Sequence, residues 1–240
     1  MYGVVNLKRW LQTAAAAVLA VGAIGVFGAL LTVFAADGGV QVPVIMYHAV
    51  IDDSRRLGQY VVSPAELESD FAWLQRNGYT AVLSEDLIRY VEDGTPLPEK
   101  PVLITFDDGY LSNYTIAAPI LQQTGMKATV ALIASHIKDA DDTDSSRHSL
   151  NWNEVKSMYD SGRFQFGSHT YDLHNPKYGG ANAPDGINGI QRLKGESQAA
   201  YNKRVGEDLK QSIDLITQNT NQKNVLFFAY PFGARDAWMQ

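Results

Sequence analysis

Cysteine is absent from the 240 residues of this chain, and its absence excludes several classes of protein. Disulfide-stapled folds, iron–sulfur proteins, cysteine-ligated zinc sites and thiol catalysis all require cysteine. An excess of basic residues is also missing, because 26 acidic residues outnumber 20 basic ones and give a net charge of −6. A nucleic-acid-binding domain normally carries a basic surface, so this balance argues against one. The 45% hydrophobic content argues against disorder, and the length suits one domain of ordinary size.

Charged residues are also missing from one long apolar stretch, at 11–36. A helix that crosses a bilayer needs about 20 apolar residues, so this stretch predicts a transmembrane anchor. Lys8 and Arg9 precede it, and the positive-inside tendency therefore predicts a cytoplasmic tail at 1–10. A cleaved signal peptide with secretion of the remainder is the alternative, although signal cores usually span about 7–15 residues. We expect the anchor to be retained, with a linker at 37–42.

Strand-like and helical segments alternate over the exported part, 43–240, which carries nearly every acidic residue of the chain. Strands are predicted at 42–47, 80–83, 102–106, 128–133, 164–166 and 225–229. Helices are predicted from Ser63 to Gly78, from Ser84, and at 113–124, 153–160 and 197–218. This alternation indicates an α/β fold with a parallel sheet, for which an open doubly wound sheet and a closed barrel both remain possible. In both, chemistry collects at the carboxyl ends of the strands.

Residues suited to chemistry follow several of these strands. They are His48, Asp107, Asp108, His169, Tyr230 and Pro231. Adjacent residues of an extended chain point to opposite sides, so Asp108 can bind a metal while Asp107 faces a substrate water. A loop can bring His169 and His174 onto the same ion. Two neutral imidazoles and one carboxylate form a zinc-type set that leaves a position open, and nickel, cobalt or iron would also accept it.

Four separated motifs resemble, in the same order, those of the polysaccharide deacetylases, which are NodB-type carbohydrate esterases. The motifs are Tyr47-His48, Thr105 to Gly109, Ser168 to His174, and Ala229 to Gly233. The resemblance runs from about residue 43 to 235 and is greatest to the branch that deacetylates poly-β-1,6-N-acetylglucosamine. It implies an irregular (β/α) barrel of NodB type, here preceded by the transmembrane helix.

The resemblance also implies a role for each matching residue. Asp107 would be the general base, His48 the general acid, and the backbone N–H of Phe232 part of an oxyanion hole. One divalent metal ion would be held by Asp108, His169 and His174, with zinc expected first. Tyr110, Tyr230 and Pro231 are expected to bind substrate, and Asp172 is a candidate to orient a ligand histidine.

We therefore expect a membrane-anchored, extracytoplasmic, metal-dependent N-deacetylase. Its expected substrate is an N-acetylated glycan, either of the poly-N-acetylglucosamine type or from peptidoglycan. A catalytically inactive carbohydrate-binding relative and an O-acetyl polysaccharide esterase are the alternatives. The expected partners are the glycan and, through the N-terminal helix, the membrane. No nucleic acid is expected, and the sequence indicates no protein partner.

The predicted strands number six, whereas the barrel of this family usually has seven or eight. The sequence ends at Gln240, just where a further helix would open. We therefore expect the catalytic domain, 43–240, to be incomplete at its C-terminal side and to lack its last strand or strands.

Overall fold

The structure is a computed structural model that describes residues 16–20, 30–35, 40–182 and 189–235. Its strands are β1 (Ala16–Ala20), β2 (Leu30–Ala35), β3 (Val42–Tyr47), β4 (Ala49–Val50), β5 (Val61–Val62), β6 (Thr80–Val82), β7 (Pro101–Asp108), β8 (Ala128–Leu132) and β9 (Phe164–Ser168). Its α-helices are α1 (Pro64–Arg76), α2 (Ser84–Asp93), α3 (Ala118–Thr124), α4 (Trp152–Asp160) and α5 (Gln198–Thr220). A π-helical turn at Asn113–Ala117 leads directly into α3.

A parallel sheet forms the centre of the fold, as the alternation of elements predicts. Strands β3, β7, β8 and β9 pair side by side in parallel, and β6 pairs in parallel with the first residues of β7. The register sets Asp108 opposite Leu132, and Leu132 opposite Ser168. The carboxyl ends of β7, β8 and β9 therefore lie level with one another at one edge of the sheet, where parallel folds place their sites.

Helix α1 begins where the capping residues of the sequence predict. The hydroxyl of Ser63 accepts the backbone N–H of Glu66, and the Glu66 carboxylate accepts the N–H of Ser63, at 3.2 and 2.7 Å. This capping box satisfies donors that the first helical turn leaves without partners. Three buried α1 side chains at helical spacing join the main core, and each contributes about 1.5–3 kcal/mol by its burial. They are Leu67, Phe71 and Leu74.

The predicted transmembrane helix at 11–36 falls largely outside the described residues. Two parts of it are described, and the structure differs from the prediction there, because both are strands: β1 and β2 form an antiparallel pair that continues from β3. A run of alanine, leucine and valine suits a strand as well as a helix, since hydrophobic periodicity does not separate the two. Among the described residues, no helix has both the length and the apolar character needed to cross a bilayer.

The predicted sixth strand at 225–229 is wrong, because the structure pairs this segment with β9 only through one isolated bridge, between Ser168 and Phe228. The side-chain amide of Gln222 explains the interruption. It accepts the N–H of Phe166 at 2.9 Å and donates to the Phe166 carbonyl at 2.8 Å, so it occupies the backbone groups that a sixth strand would use. The segment nevertheless lies beside the last residue of β9, because the N–H of Ala229 donates to the carbonyl of Ser168. A short turn at Pro231–Gly233 follows it.

Candidate active site

Two adjacent carboxyl groups end β7, and they lie in different environments. Asp107 is buried, and its Oδ1 has no hydrogen-bond partner among the described residues. Burial, together with the neighbouring charge of Asp108, raises the pKa of Asp107 to about 8. Oδ1 of Asp108 is likewise buried without a hydrogen-bond partner in the described part of the chain. Buried oxygens of this kind are rare in folded proteins and indicate that the site is built for a further ligand.

The imidazole of His169 has a defined tautomer. Its Nδ1 lies 2.8 Å from the carbonyl oxygen of Ala229, and because a carbonyl only accepts, Nδ1 carries the proton. Burial lowers the pKa of His169 to about 4, so the ring is neutral near pH 7 and Nε2 presents a lone pair. This is the arrangement in which histidine binds a metal: one nitrogen is fixed by a backbone acceptor and the other is available as a ligand.

His174 completes a three-residue donor set at the ends of β7 and β9. The Nε2 atoms of His169 and His174 lie 3.5 and 3.7 Å from Oδ1 of Asp108. Burial also lowers the pKa of His174, so this ring is neutral near pH 7 as well and can act as a ligand. Two ligand atoms each about 2.1 Å from a tetrahedral zinc ion lie about 3.4 Å apart, close to the distances found here. The structure brings Asp108, His169 and His174 together, and the set fits a divalent metal.

Backbone strain is concentrated at this site. Four non-glycine residues in the described part of the chain have a left-handed φ, and three of them belong to the predicted motifs. They are Asp108 (74°), Thr170 (75°) and Phe232 (56°), while Asn221 ends α5. Each such conformation costs about 1–3 kcal/mol and persists only where the surroundings enforce it. The strain therefore indicates that side-chain direction at the site is maintained at the expense of stability.

His48 lies at the same edge of the sheet, directly after β3. Its carbonyl accepts a hydrogen bond from Nδ2 of Asn113 at 2.8 Å, and its ring packs edge-on against Tyr60, with centroids 4.9 Å apart. Burial lowers the pKa of His48, and the negative charge of Asp108 opposes that shift. His48 is thus close enough to Asp108 for their charges to interact, as the prediction that both belong to one site requires.

The remaining predicted residues surround this group. The ring of Phe232 is 53% exposed and lies over His174, with centroids 4.2 Å apart. Burial and the charge of Asp108 raise the pKa of Tyr110 to about 12, so its hydroxyl keeps its proton beside the site. Tyr230 packs against Phe228, and Pro231 is buried within the turn. The substrate contacts of Tyr110, Tyr230 and Pro231, and the oxyanion role of Phe232, stay predictions.

Residues 94–239 match the family model described as polysaccharide deacetylase. The chain belongs to the polysaccharide deacetylase family. The resemblance seen in the four motifs is therefore confirmed.

Individual family members show the same relationship. The chain is 29% identical over 206 residues to the poly-β-1,6-N-acetyl-D-glucosamine N-deacetylase of Escherichia coli K12, covering 79% of this chain and 30% of that protein. It is 29% identical to the enzyme of that name from Staphylococcus epidermidis, covering 80% of this chain and 60% of the relative. The chain thus spans between about a third and three fifths of the length of these curated relatives.

Solved structures support the NodB-type α/β fold. The IcaB protein of Ammonifex degensii superimposes with a TM-score of 0.64 at 26% identity, over 82% of this chain and 76% of that one. A de-N-acetylase from Aggregatibacter actinomycetemcomitans gives a TM-score of 0.68 at 27% identity, over 82% and 81% of the two chains.

Two residues that hold the loop between His169 and His174 in this deacetylase-family member were not singled out from the sequence. Asp208 and Ser212 of α5 bind the segment that begins at Ser168. Their positions continue the buried stripe of α5, which includes Val205 and Ile216. Polar residues whose spacing places them on the buried face of a helix are the sequence signal that could have identified Asp208 and Ser212.

For Asp172, the structure provides a different partner from the one predicted: its carboxylate accepts the hydroxyl of Ser135 at 3.2 Å.

The loop after His174 is tied to α5 by an ion pair. The guanidinium of Arg204 donates to Oε1 and Oε2 of Glu196 at 2.7 and 2.8 Å, and also to the backbone carbonyls of Gly189 and Gln191. The two side chains are only 14% and 8% exposed. The hydrogen bonds from Arg204 hold the pKa of Glu196 below its ordinary value of 4.5. This pair therefore links the loop to the helix that also holds the segment from His169 to His174.

Replacing Glu196 by glutamine is expected to lower the free energy of unfolding by about 1–2 kcal/mol at pH 7, because Arg204 loses its charged partner. The pKa of Glu196 is lowered on folding, so its stabilising contribution is complete above pH 4.5 and is lost as the pH falls through the lowered value. Urea denaturation at pH 7 and at about pH 3 measures the difference, which should shrink in acid. The exposed Glu207→Gln variant is the matched control, and an equal difference at both pH values would contradict the assignment.

Proposed function

We propose that this protein hydrolyses the N-acetyl groups of an amino-sugar polymer of the poly-β-1,6-N-acetylglucosamine type. The observation that carries the proposal is the meeting of a buried carboxyl group, Asp107, with the metal-type set of Asp108, His169 and His174 at one edge of the sheet. The two curated relatives described above are named as deacetylases of that polymer, and their names support this choice of substrate.

In this proposal Asp108, His169 and His174 hold one divalent ion. When bound, the ion supplies a Lewis acid that polarises an acetamide carbonyl and a positive charge that lowers the pKa of Asp107. Zinc suits two neutral imidazoles and one carboxylate, and nickel, cobalt and iron accept the same donors. The His169 Nδ1–H bond to the Ala229 carbonyl fixes the direction of one ligand before any ion arrives.

Asp107 accepts the proton of the attacking water. Its side chain makes no hydrogen bond through Oδ1 to any described residue, so that oxygen is available for a water proton. The carboxyl is shielded from solvent, and a base of this kind gains proton affinity from its burial. Asp107 thus receives a proton more readily than an exposed carboxylate, provided that it is ionised when the substrate binds.

His48 donates the proton that the departing sugar amine needs. An amine leaves an amide poorly unless its nitrogen is protonated, so a positioned acid accelerates this bond cleavage. The charge of Asp108 favours the protonated form of His48 and offsets part of the effect of burial. The backbone N–H of Phe232, held in the left-handed conformation of the turn, would donate to the oxygen on which negative charge develops.

The same proposal locates the catalytic part outside the cytoplasm. Its support is the uncharged stretch at 11–36 with Lys8 and Arg9 before it. A retained membrane anchor is the form we propose, and secretion after cleavage is the alternative. An anchor helix over 11–36 would require a conformation other than the strands β1 and β2 that the structure has in this stretch.

The test separates N-acetyl from O-acetyl chemistry through His48. In a His48→Ala variant, acetate release from β-1,6-linked N-acetylglucosamine oligomers is expected to fall about 10²- to 10⁴-fold. Hydrolysis of 4-nitrophenyl acetate should change by less than about fivefold, because nitrophenolate leaves without a proton. His148→Ala, which removes an exposed imidazole, is the control and should leave both rates unchanged.

Three results would contradict parts of this assignment. Equal losses on the two substrates would show that His48 does not act as the acid. Faster release from O-acetylated xylan than from the N-acetylated oligomer would favour an O-acetyl esterase. Glycan binding by the unmodified protein without any acetate release would favour a non-catalytic carbohydrate-binding protein.

A further inference from the structure

The loop between the two ligand histidines is held by a carboxylate from α5. Oδ1 of Asp208 accepts the backbone N–H of Tyr171 at 2.7 Å, and Oδ2 accepts that of Asp172 at 2.9 Å. The two oxygens of one side chain thus bind two successive amides in the middle of the segment from His169 to His174. Hydrogen bonds to an ionised acceptor are about twice as strong as neutral ones.

A second contact from the same face of α5 lies one helical turn further on. The hydroxyl of Ser212 accepts a hydrogen bond from the hydroxyl of Ser168 at 2.8 Å, and both groups are buried. The Ser168 oxygen in turn accepts the backbone N–H of Thr170 at 3.1 Å. Residues four apart on a helix share a face, so Asp208 and Ser212 bind the loop together.

The conformation that these contacts hold is unfavourable in itself. Thr170 follows His169 directly, is fully buried and has a φ of 75°, a region that β-branched residues seldom occupy. On the other side of the loop, the carbonyls of Thr170 and Tyr171 accept the backbone N–H groups of Ala134 and Ser135 at 3.1 and 2.9 Å. The left-handed turn is therefore fixed from both sides: by side chains of α5 on one, and on the other by backbone hydrogen bonds together with the exposed bond between the Ser135 hydroxyl and the Asp172 carboxylate.

We propose that Asp208 is a positioning residue for the metal-ligand set. By binding the N–H groups of Tyr171 and Asp172, its carboxylate fixes the path of the chain between His169 and His174 and hence the separation of their Nε2 atoms. The inference rests on the proposed function, because it assumes that these histidines bind a metal. An amide side chain is a poor replacement: it offers one accepting oxygen, and its NH₂ group would face the second N–H.

The test compares Asp208→Asn with Asp214→Asn in the full 240-residue chain. Asp214 lies on the exposed side of α5 and pairs with Lys210, so its replacement is the same chemical change away from the loop. The dissociation constant for zinc is measured by competition with a chromophoric chelator, well below the melting temperature, and cobalt binding is followed by its visible spectrum.

We expect Asp208→Asn to weaken zinc binding about 10- to 100-fold, to alter the cobalt spectrum and to speed amide exchange at Tyr171 and Asp172. Asp214→Asn should change none of these.

The possible results distinguish a failure of the positioning role of Asp208 from a failure of the proposed metal site. A folded Asp208→Asn variant with unchanged zinc affinity and cobalt spectrum would show a merely structural role and overturn the inference. If the unmodified protein binds neither ion, the proposed metal set itself is wrong, whatever the amide exchange shows. If Asp208→Asn does not fold, Asp208→Glu and Ser212→Ala decide by the same two readouts. Glutamate keeps both carboxylate oxygens, so Asp208→Glu should retain part of the zinc affinity of the unmodified protein. A zinc affinity equal to that of the unmodified protein in both variants would overturn the inference.

Discussion

Replacing Asp107 by asparagine is expected to lower the kcat of acetate release about 10²- to 10⁴-fold while zinc affinity stays within about threefold. Asparagine has nearly the same shape as aspartate but does not accept a proton, so the variant removes the base without opening a cavity. The metal-type ligand on this strand is the neighbouring Asp108, whose Oδ1 faces both histidines. Steady-state kinetics on N-acetylglucosamine oligomers, with zinc titration of the same preparations, measures both quantities.

Asp160→Asn is the matched control for that substitution, because its carboxylate is exposed on α4 and pairs with Lys156. It should retain the kinetic constants of the unmodified protein. If Asp107→Asn keeps more than about a fifth of the rate, the water proton goes to another group. If zinc affinity and rate fall together, Asp107 belongs to the metal site rather than acting as the base.

Replacing His174 by alanine is expected to abolish stabilisation by metal. A ligand present at 100 times its dissociation constant stabilises a folded protein by about 2.7 kcal/mol, which raises the melting temperature. His174 provides one of three converging donor atoms. Its removal should weaken zinc binding by more than the roughly 100-fold that results from losing a residue that only hydrogen-bonds to a metal ligand. Calorimetric titration of zinc, nickel and cobalt, with melting curves in the presence and absence of each ion, gives both readouts.

The exposed His148 again provides a control, because His148→Ala removes an imidazole without touching the site. Its metal-dependent rise in melting temperature should equal that of the unmodified protein. A His174→Ala variant that binds zinc as tightly as the unmodified chain would show that the ion, if bound, lies elsewhere.

Much of the fold follows from local patterns in the sequence. Ser63 and Glu66 mark the start of α1 because their side chains satisfy the first backbone donors of that helix. The apolar runs that become β7 and β8 are continuous because both faces of a parallel sheet are covered. The site follows from the same reasoning, since parallel strands bring their carboxyl ends to one edge and place Asp108 near the residues that follow Ser168.

Other features depend on contacts between distant residues, which no local pattern contains. The segment at 225–229 is apolar enough for a strand, but the amide of Gln222 occupies the backbone groups of Phe166 that the strand would bind. The role of Asp208 depends on how α5 crosses the loop after Ser168. The left-handed Thr170 runs against the preference of its own side chain and exists only because bonds on both sides of the loop hold it.

Metal-dependent acetate release from an N-acetylated glycan is the activity that the proposed site must confer. The full chain is incubated with a β-1,6-linked N-acetylglucosamine oligomer before chelation, after chelation, and after zinc, cobalt or nickel is restored, with Asp107→Asn in parallel. The proposed function requires acetate release that is lost on chelation, returns with at least one of the ions, and stays at least about 100-fold lower in the variant under every condition. Release that persists unchanged after complete removal of metal, or no release under any condition, would contradict it.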